Sequence, residues 1–195
     1  VKYHGLTIDP GMSSGVCLFT WGDDQPFTPL KLWQFPLGAE GLGMFLDHQN
    51  VKASFALDHQ SAITSITREA WFGDIKLDAL IVEKFTPWND SRRKEFKLTR
   101  DAVEPLRGEG VLIGRGFGPL VQWAEPSMQY FMGSSELPLD QKKELSREFL
   151  KLNEFYITGS TVGNKDADDA ISAELHAIAW LRRKRHMPTL KALFG

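Results

Sequence analysis

The chain has 195 residues, 42% hydrophobic and 25% charged, with a formal net charge of −2, ordinary globular usage that argues against both a disordered chain and a protein that coats nucleic acid by bulk charge. A chain of that length is expected to form one domain, residues 1–195. No apolar run is long enough for a bilayer, the N-terminus lacks a signal-peptide layout, and the single Cys17 can form no internal disulfide, so a cytoplasmic protein with no membrane partner and a small buried cysteine is expected.

Leu6 to Asp9, Gly15 to Trp21 and Leu30 to Phe35 lie between Gly and Pro clusters and predict three strands, whose short connections make an antiparallel meander. Helices are predicted at about Ala39 to His48 and about Ala62 to Phe72. The short apolar run Ala79 to Val82, ending in Glu83, follows a helix and is bounded by turns, which predicts a buried strand parallel to the first. Arg93 to Arg107 puts Arg93, Lys97, Arg100, Glu104 and Arg107 on one helical face opposite Leu98, Ala102 and Leu106, a surface helix that Pro105 should kink or split. Pro119 to Trp123 is a candidate fifth strand, Asp140 to Lys151 a polar helix and Gly159 to Gly163 a loop. Asp166 to Arg183 spaces Ile171, Leu175, Ile178 and Leu181 as one buried stripe of a long helix. The order predicts a mixed α/β layered domain.

Four acids stand out in that scheme. Asp9 closes the first strand, just before Pro10 and Gly11, where a carboxylate is costly unless it is paired, hydrogen-bonded or holding a metal. Glu83 closes the fourth strand, and Asp166 and Asp169 open the long helix. If the fourth strand lies beside the first and the helix start crosses that point, the acids converge, and such a cluster needs a compensating cation. Oxygen ligands suit Mg²⁺ or Mn²⁺, and two ions about 3.5–4 Å apart are the usual apparatus for in-line displacement at phosphorus. Asp166 and Asp169, at i and i+3, share a helix face, while Asp168 lies about 100° further round and is assigned to solvent or to support of the ligands. Acids at a helix start also simply complement the macrodipole, and that alternative stays open for the cluster taken alone.

IDPG followed by GVCLF, then IVEKF, then DADDAISAELHA resembles the RuvC-like Holliday junction resolvases, a branch of the RNase H-like nuclease superfamily. The resemblance covers nearly the whole chain, apart from AEPSMQYFMGSSELPLD, which has no counterpart in the pattern. It implies an RNase H-like mixed five-stranded sheet in the order 3-2-1-4-5, with strand 2 antiparallel and helices flanking it. It also implies that Asp9, Glu83, Asp166 and Asp169 are the catalytic, metal-binding acids, holding two Mg²⁺ with Mn²⁺ able to substitute. The activity implied is hydrolysis that leaves 5′-phosphate and 3′-hydroxyl, by a homodimer that cuts two strands of branched DNA. The compact size looks like that of a phage-encoded member, acting in the host cytoplasm.

Around these acids, Lys84, Arg92, Arg93, Lys97 and Lys165 are candidate phosphate contacts, and Phe85 and Trp88 candidates for stacking on an unpaired base. Lys165 is also a candidate helper base. Gly11 and Gly15 would let the first turn approach the site closely. His4, His48, His59, His176 and His186 show no metal-ligand spacing, and His176 is expected to be a surface or interhelical contact. The rival functions on the same scaffold are a flap endonuclease, a 5′–3′ exonuclease or the nuclease part of a packaging motor, although no GxxxxGK[ST] phosphate loop occurs. More distant rivals are an actin-like or sugar-kinase-like phosphate-binding protein, whose first strand reads much like IDPGMSSG, and a catalytically silent DNA-binding module.

Overall fold

The run KYHGLTID forms strand β1 (Lys2–Asp9), SGVCLFTWG forms β2 (Ser14–Gly22) and TPLKLWQF forms β3 (Thr28–Phe35). The structure, a computed structural model, describes residues 1–58, 65–84, 100–124, 137, 139–152 and 168–194. β1 and β2 pair antiparallel from Lys2↔Gly22 to Asp9↔Gly15, and β3 extends the meander. On the other side of β1, strand β7 (Ala79–Glu83) lies parallel in the register Ile8↔Val82, and β8 (Val121–Ala124), entered through a 3₁₀ turn at Gly118–Leu120, lies parallel to β7. The order β3-β2-β1-β7-β8 is the RNase H-like sheet expected, with β7 and β8 as its fourth and fifth strands.

β1, β2 and β7 are near-continuous apolar runs because both of their faces are covered. One face, carrying Cys17, Phe19, Ala79 and Ile81, packs on helix α4 (Asp168–Arg183) with support from Leu150 of α3 (Leu139–Leu152). Alanines 170, 173 and 177 of α4 are fully buried and allow close approach to the sheet, while Ile171, Leu175, Ile178 and Leu181 form the predicted stripe. Cutting Ile178 back to Ala would cost about 2–5 kcal/mol. Thr7, the polar residue in this part of β1, is satisfied by donating to the Ala173 carbonyl of α4 at 2.7 Å. Helix α5 (Met187–Phe194) follows α4 and ties to the meander, with Thr189 Oγ1 accepting the Phe27 N–H.

The opposite face carries Leu6, Ile8, Val16, Leu18, Leu80 and Val82 against helices α1 (Gly38–His48) and α2 (Arg100–Gly114) and against a second sheet. That sheet departs from the sequence expectation. The predicted helix at Ala62 to Phe72 is strand β5 (Ser65–Phe72), paired antiparallel with β4 (Val51–Asp58) in the register Val51↔Phe72 and with β6 (Ile75–Leu77). Its Ile66 and Ala70 fit a helical stripe, but β-branched Ile66 and Thr67 and aromatic Trp71 and Phe72 suit a pleated, half-buried surface once β4 supplies the pairing. Trp71 Nε1 donates to Ser54 Oγ across that pair at 3.0 Å.

Helix α2 is also turned relative to expectation. Glu104, assigned to the solvent face, is 2% exposed, and Leu106, assigned to the buried face, is 45% exposed. The reason is electrostatic. Helix α1 starts after Leu37 with no side-chain cap of its own, and Glu104 Oε2 accepts the Ala39 N–H at 3.1 Å, placing a carboxylate on the free amides and the positive end of the α1 dipole. The helix runs on through Pro105 to Gly114 without being split there. Gly108 is packed so closely on Pro10 that a Cβ there would lie 2.9 Å from Pro10 Cβ.

Candidate metal centre

β1 and β7 are parallel neighbours, and each ends in an acid one residue beyond the pair Ile8↔Val82. By the alternation along each strand, Asp9 shares the face of Thr7 and Glu83 that of Ile81, so both side chains project toward α4. The start of α4 is seated on the same row of the sheet. Asp9 pairs with Gly15, and Gly15 pairs with Gln34. A Cβ on Gly15 would lie 1.9 Å from the Asp169 carbonyl oxygen, so only glycine admits the helix here. Gln34 Oε1 accepts the N–H groups of Asp169 and Ala170 at 3.1 and 3.3 Å, holding the first turn of the helix.

From that seat, α4 directs one stripe at the strand ends. Ser172 hydrogen-bonds Asp9. One turn further on, His176, only 2% exposed, places Nε2 3.1 Å from Glu83 Oε2. Asp9, Glu83 and His176 each offer one donor atom, and the three atoms lie within 4.8 Å of one another. Asp169 acts on Asp9 through its charge.

The electrostatics are those of two acids forced together. Burial, then the charge of Glu83 and the hydrogen bond with it, then the charge of Asp169, push the Asp9 carboxyl well above the usual carboxylate range, and the Ser172 hydroxyl opposes them. Burial also works to raise Glu83, but hydrogen bonds from His176 and Asp9 oppose it, and Glu83 is held below its ordinary value. Without a cation, one proton between the two carboxyls is the way to accommodate them. Two carboxylate oxygens within 4.8 Å of each other fit a divalent cation as the alternative, since it would remove the need for that proton.

The strand-end acids Asp9 and Glu83 therefore stand together, with Asp169 beside them. Lys84 is exposed directly after β7, where its N–H donates to the Ala124 carbonyl at 2.7 Å. Asp166, Phe85, Trp88, Arg92, Arg93, Lys97 and Lys165 lie outside the described residues, as does the side chain of Asp168. His176 corrects the sequence expectation of a surface or interhelical contact. It faces the strand ends because it follows Asp169 by about two helical turns on one face. That seven-residue interval from the acid was the signal available in the sequence. Cys17 is buried as expected, and burial followed by the nearby Glu174 charge pushes its thiol well up, against a hydrogen bond with Thr7.

No family model matches the chain, and no curated protein matches it. Among solved structures, Thermus thermophilus RuvC in complex with a Holliday junction substrate is similar over 93% of this chain and 96% of its own, at 12% identity and a TM-score of 0.48. A second Thermus thermophilus RuvC structure is similar over 94% and 97% of the two chains, at 12% identity and a TM-score of 0.46. The fold assignment rests on this chain's own strand order, a mixed β3-β2-β1-β7-β8 sheet covered by helices.

Proposed function

We propose that the chain is a divalent-cation-dependent nuclease that hydrolyses phosphodiester bonds in branched DNA, leaving 5′-phosphate and 3′-hydroxyl ends. The observation that carries this reading is the convergence of Asp9 and Glu83 at the ends of adjacent parallel strands beneath the start of α4. The motif resemblance to junction resolvases supplies the substrate class. Asp9 and Glu83 would hold the cation, Asp169 would add charge from the helix start, and Asp166 would complete the set. Two Mg²⁺ are the proposed complement, with Mn²⁺ able to replace them. When bound, such ions polarise the scissile phosphate and make water a nucleophile at neutral pH.

The remaining work falls to the chain. Ser172 orients the Asp9 carboxyl, and Gln34 and Gly15 fix where the helix start sits. Lys84, exposed directly after β7, would with the basic residues that follow it in sequence contact backbone phosphates, giving affinity that falls steeply with salt. A homodimer presenting two such sites to the two strands is part of the proposal.

The test is cutting of a labelled four-way junction in Mg²⁺, compared with linear, flap and single-stranded DNA. Preferential paired nicks in the junction support the reading. Equal or greater cutting of flaps or free ends transfers it to the flap-endonuclease or exonuclease alternative, and no cation-dependent cutting of any substrate ends it.

A further inference from the structure

His176 is the member of the cluster that the resemblance does not supply, and two facts about its ring decide its role. Nε2 faces Glu83 Oε2 at 3.1 Å, while Nδ1 is buried without a hydrogen-bond partner among the described residues. A proton on Nδ1 would leave a buried N–H unmet and set the Nε2 lone pair against a carboxylate oxygen. A proton on Nε2 turns the short contact into a hydrogen bond and leaves only a weak acceptor unpaired. A metal-ligating imidazole normally donates its other ring N–H to a carboxylate, carbonyl or water, and Nδ1 has no such acceptor.

We propose that His176 is a positioning residue for Glu83: its Nε2–H donates to Oε2, fixing the carboxylate so that its other oxygen is offered toward Asp9 and the cation. The inference rests on the cation-binding reading of the site. Glu83 has a longer and freer side chain than Asp9, which is held from the helix by Ser172. The buried helix face carrying Ser172 and His176 therefore holds one oxygen of each acid, a hydroxyl for Asp9 and an imidazole for Glu83. This leaves the outward oxygens of the two acids for the ion. Carboxylates that bind metals are commonly held in this way, and losing the partner typically lowers metal affinity by about 10–100-fold.

Two measurements test it. Long-range ¹H–¹⁵N spectra of the ion-free protein should show the Nε2–H tautomer for His176, and the Nδ1–H tautomer would overturn the proposal whatever the ion does. Mn²⁺ binding, followed by the loss of its free-ion EPR signal, should weaken about 10–100-fold in His176→Leu and stay near wild type in His176→Gln, whose amide can still donate. Melting curves accompany both variants. Unchanged Mn²⁺ affinity in His176→Leu overturns the positioning role while leaving the cation reading intact. Wild-type protein that binds no Mn²⁺ brings down the cation reading itself and the proposal with it. A selective loss of Zn²⁺ relative to Mn²⁺ in His176→Gln would make the imidazole a ligand instead, since imidazole suits Zn²⁺.

Discussion

Helix α4 buries acids in two surroundings. On one stripe, Ser172 and His176 meet Asp9 and Glu83, and every carboxyl there has a partner. On the side shared with Ala170, Ala177 and Ile178, Glu174 is 0% exposed, and neither of its carboxyl oxygens has a hydrogen-bond partner among the described residues. Burial pushes the pKa of both Asp9 and Glu174 well up, so burial by itself does not mark a site. What separates them is convergence. Asp9 has a second acid, a hydroxyl and a nearby Asp169 brought to it by two other elements, whereas Glu174 has apolar neighbours and a cysteine whose thiol it also raises. The first arrangement suits a cation. The second suits a neutral acid held at a cost in stability.

The largest expected effect comes from removing the charge that the first region is built around. Asp9→Asn should lower cation-dependent DNA cutting by about 10³-fold or more, because several kcal/mol of charge stabilisation are lost, while the melting temperature holds or rises as one of two crowded carboxylates is neutralised. Wild-type cutting by this variant would make Asp9 no different in kind from Glu174.

Next comes the seat of the helix. Gly15→Ala places a methyl against the Asp169 carbonyl and should destabilise by about 1–3 kcal/mol and slow cutting by up to about 10²-fold, since the Asp169 end of α4 must move. Gly114→Ala, in α2 with open space around it, is the control and should be neutral or stabilising by up to about 1 kcal/mol. Equal behaviour of the two variants in denaturant melts would remove the claim that Gly15 is required by the approach of α4.

The smallest effect distinguishes the second region. Glu174→Leu should stabilise the protein by about 1–3 kcal/mol at neutral pH, because a buried carboxyl with no partner is removed. The sign follows from linkage. With the folded pKa of Glu174 raised above its ordinary value of 4.5, its ionisation adds no cost below that pH and lowers stability progressively as pH rises from there toward the folded value. Urea melts across that window should therefore show a pH slope in wild type that is reduced in Glu174→Leu. An unchanged slope would mean that Glu174 is paired or solvated in solution.

How much of this was legible in the sequence depended on whether the relevant contacts lie along the chain or across it. β1, β7 and the buried stripe of α4 were readable because apolar runs and 3.6-residue spacing are local, and the acids at their ends followed from the parallel pairing. The β4-β5-β6 sheet was not. Its strands are half exposed, and Ile66 and Ala70 keep a helical interval that only pairing with β4 overrides. Glu104 was assigned to solvent because the uncapped start of α1 that it serves lies 65 residues away in sequence. His176 reads as a surface or interhelical contact for the same reason: its partner Glu83 is 93 residues distant, and the seven-residue interval from Asp169 gives a shared helix face without saying which strand end that face meets.

If Asp9 and Glu83 form a cation site rather than an incidental pair of crowded acids, the ion itself is observable between them. Crystals grown or soaked with Mn²⁺ test it directly, with data collected for the manganese anomalous signal. An anomalous peak coordinated by one oxygen from each of Asp9 and Glu83 is expected at the start of α4. Mn²⁺ peaks confined to other surfaces, with the two carboxyls still hydrogen-bonded to each other, would contradict it.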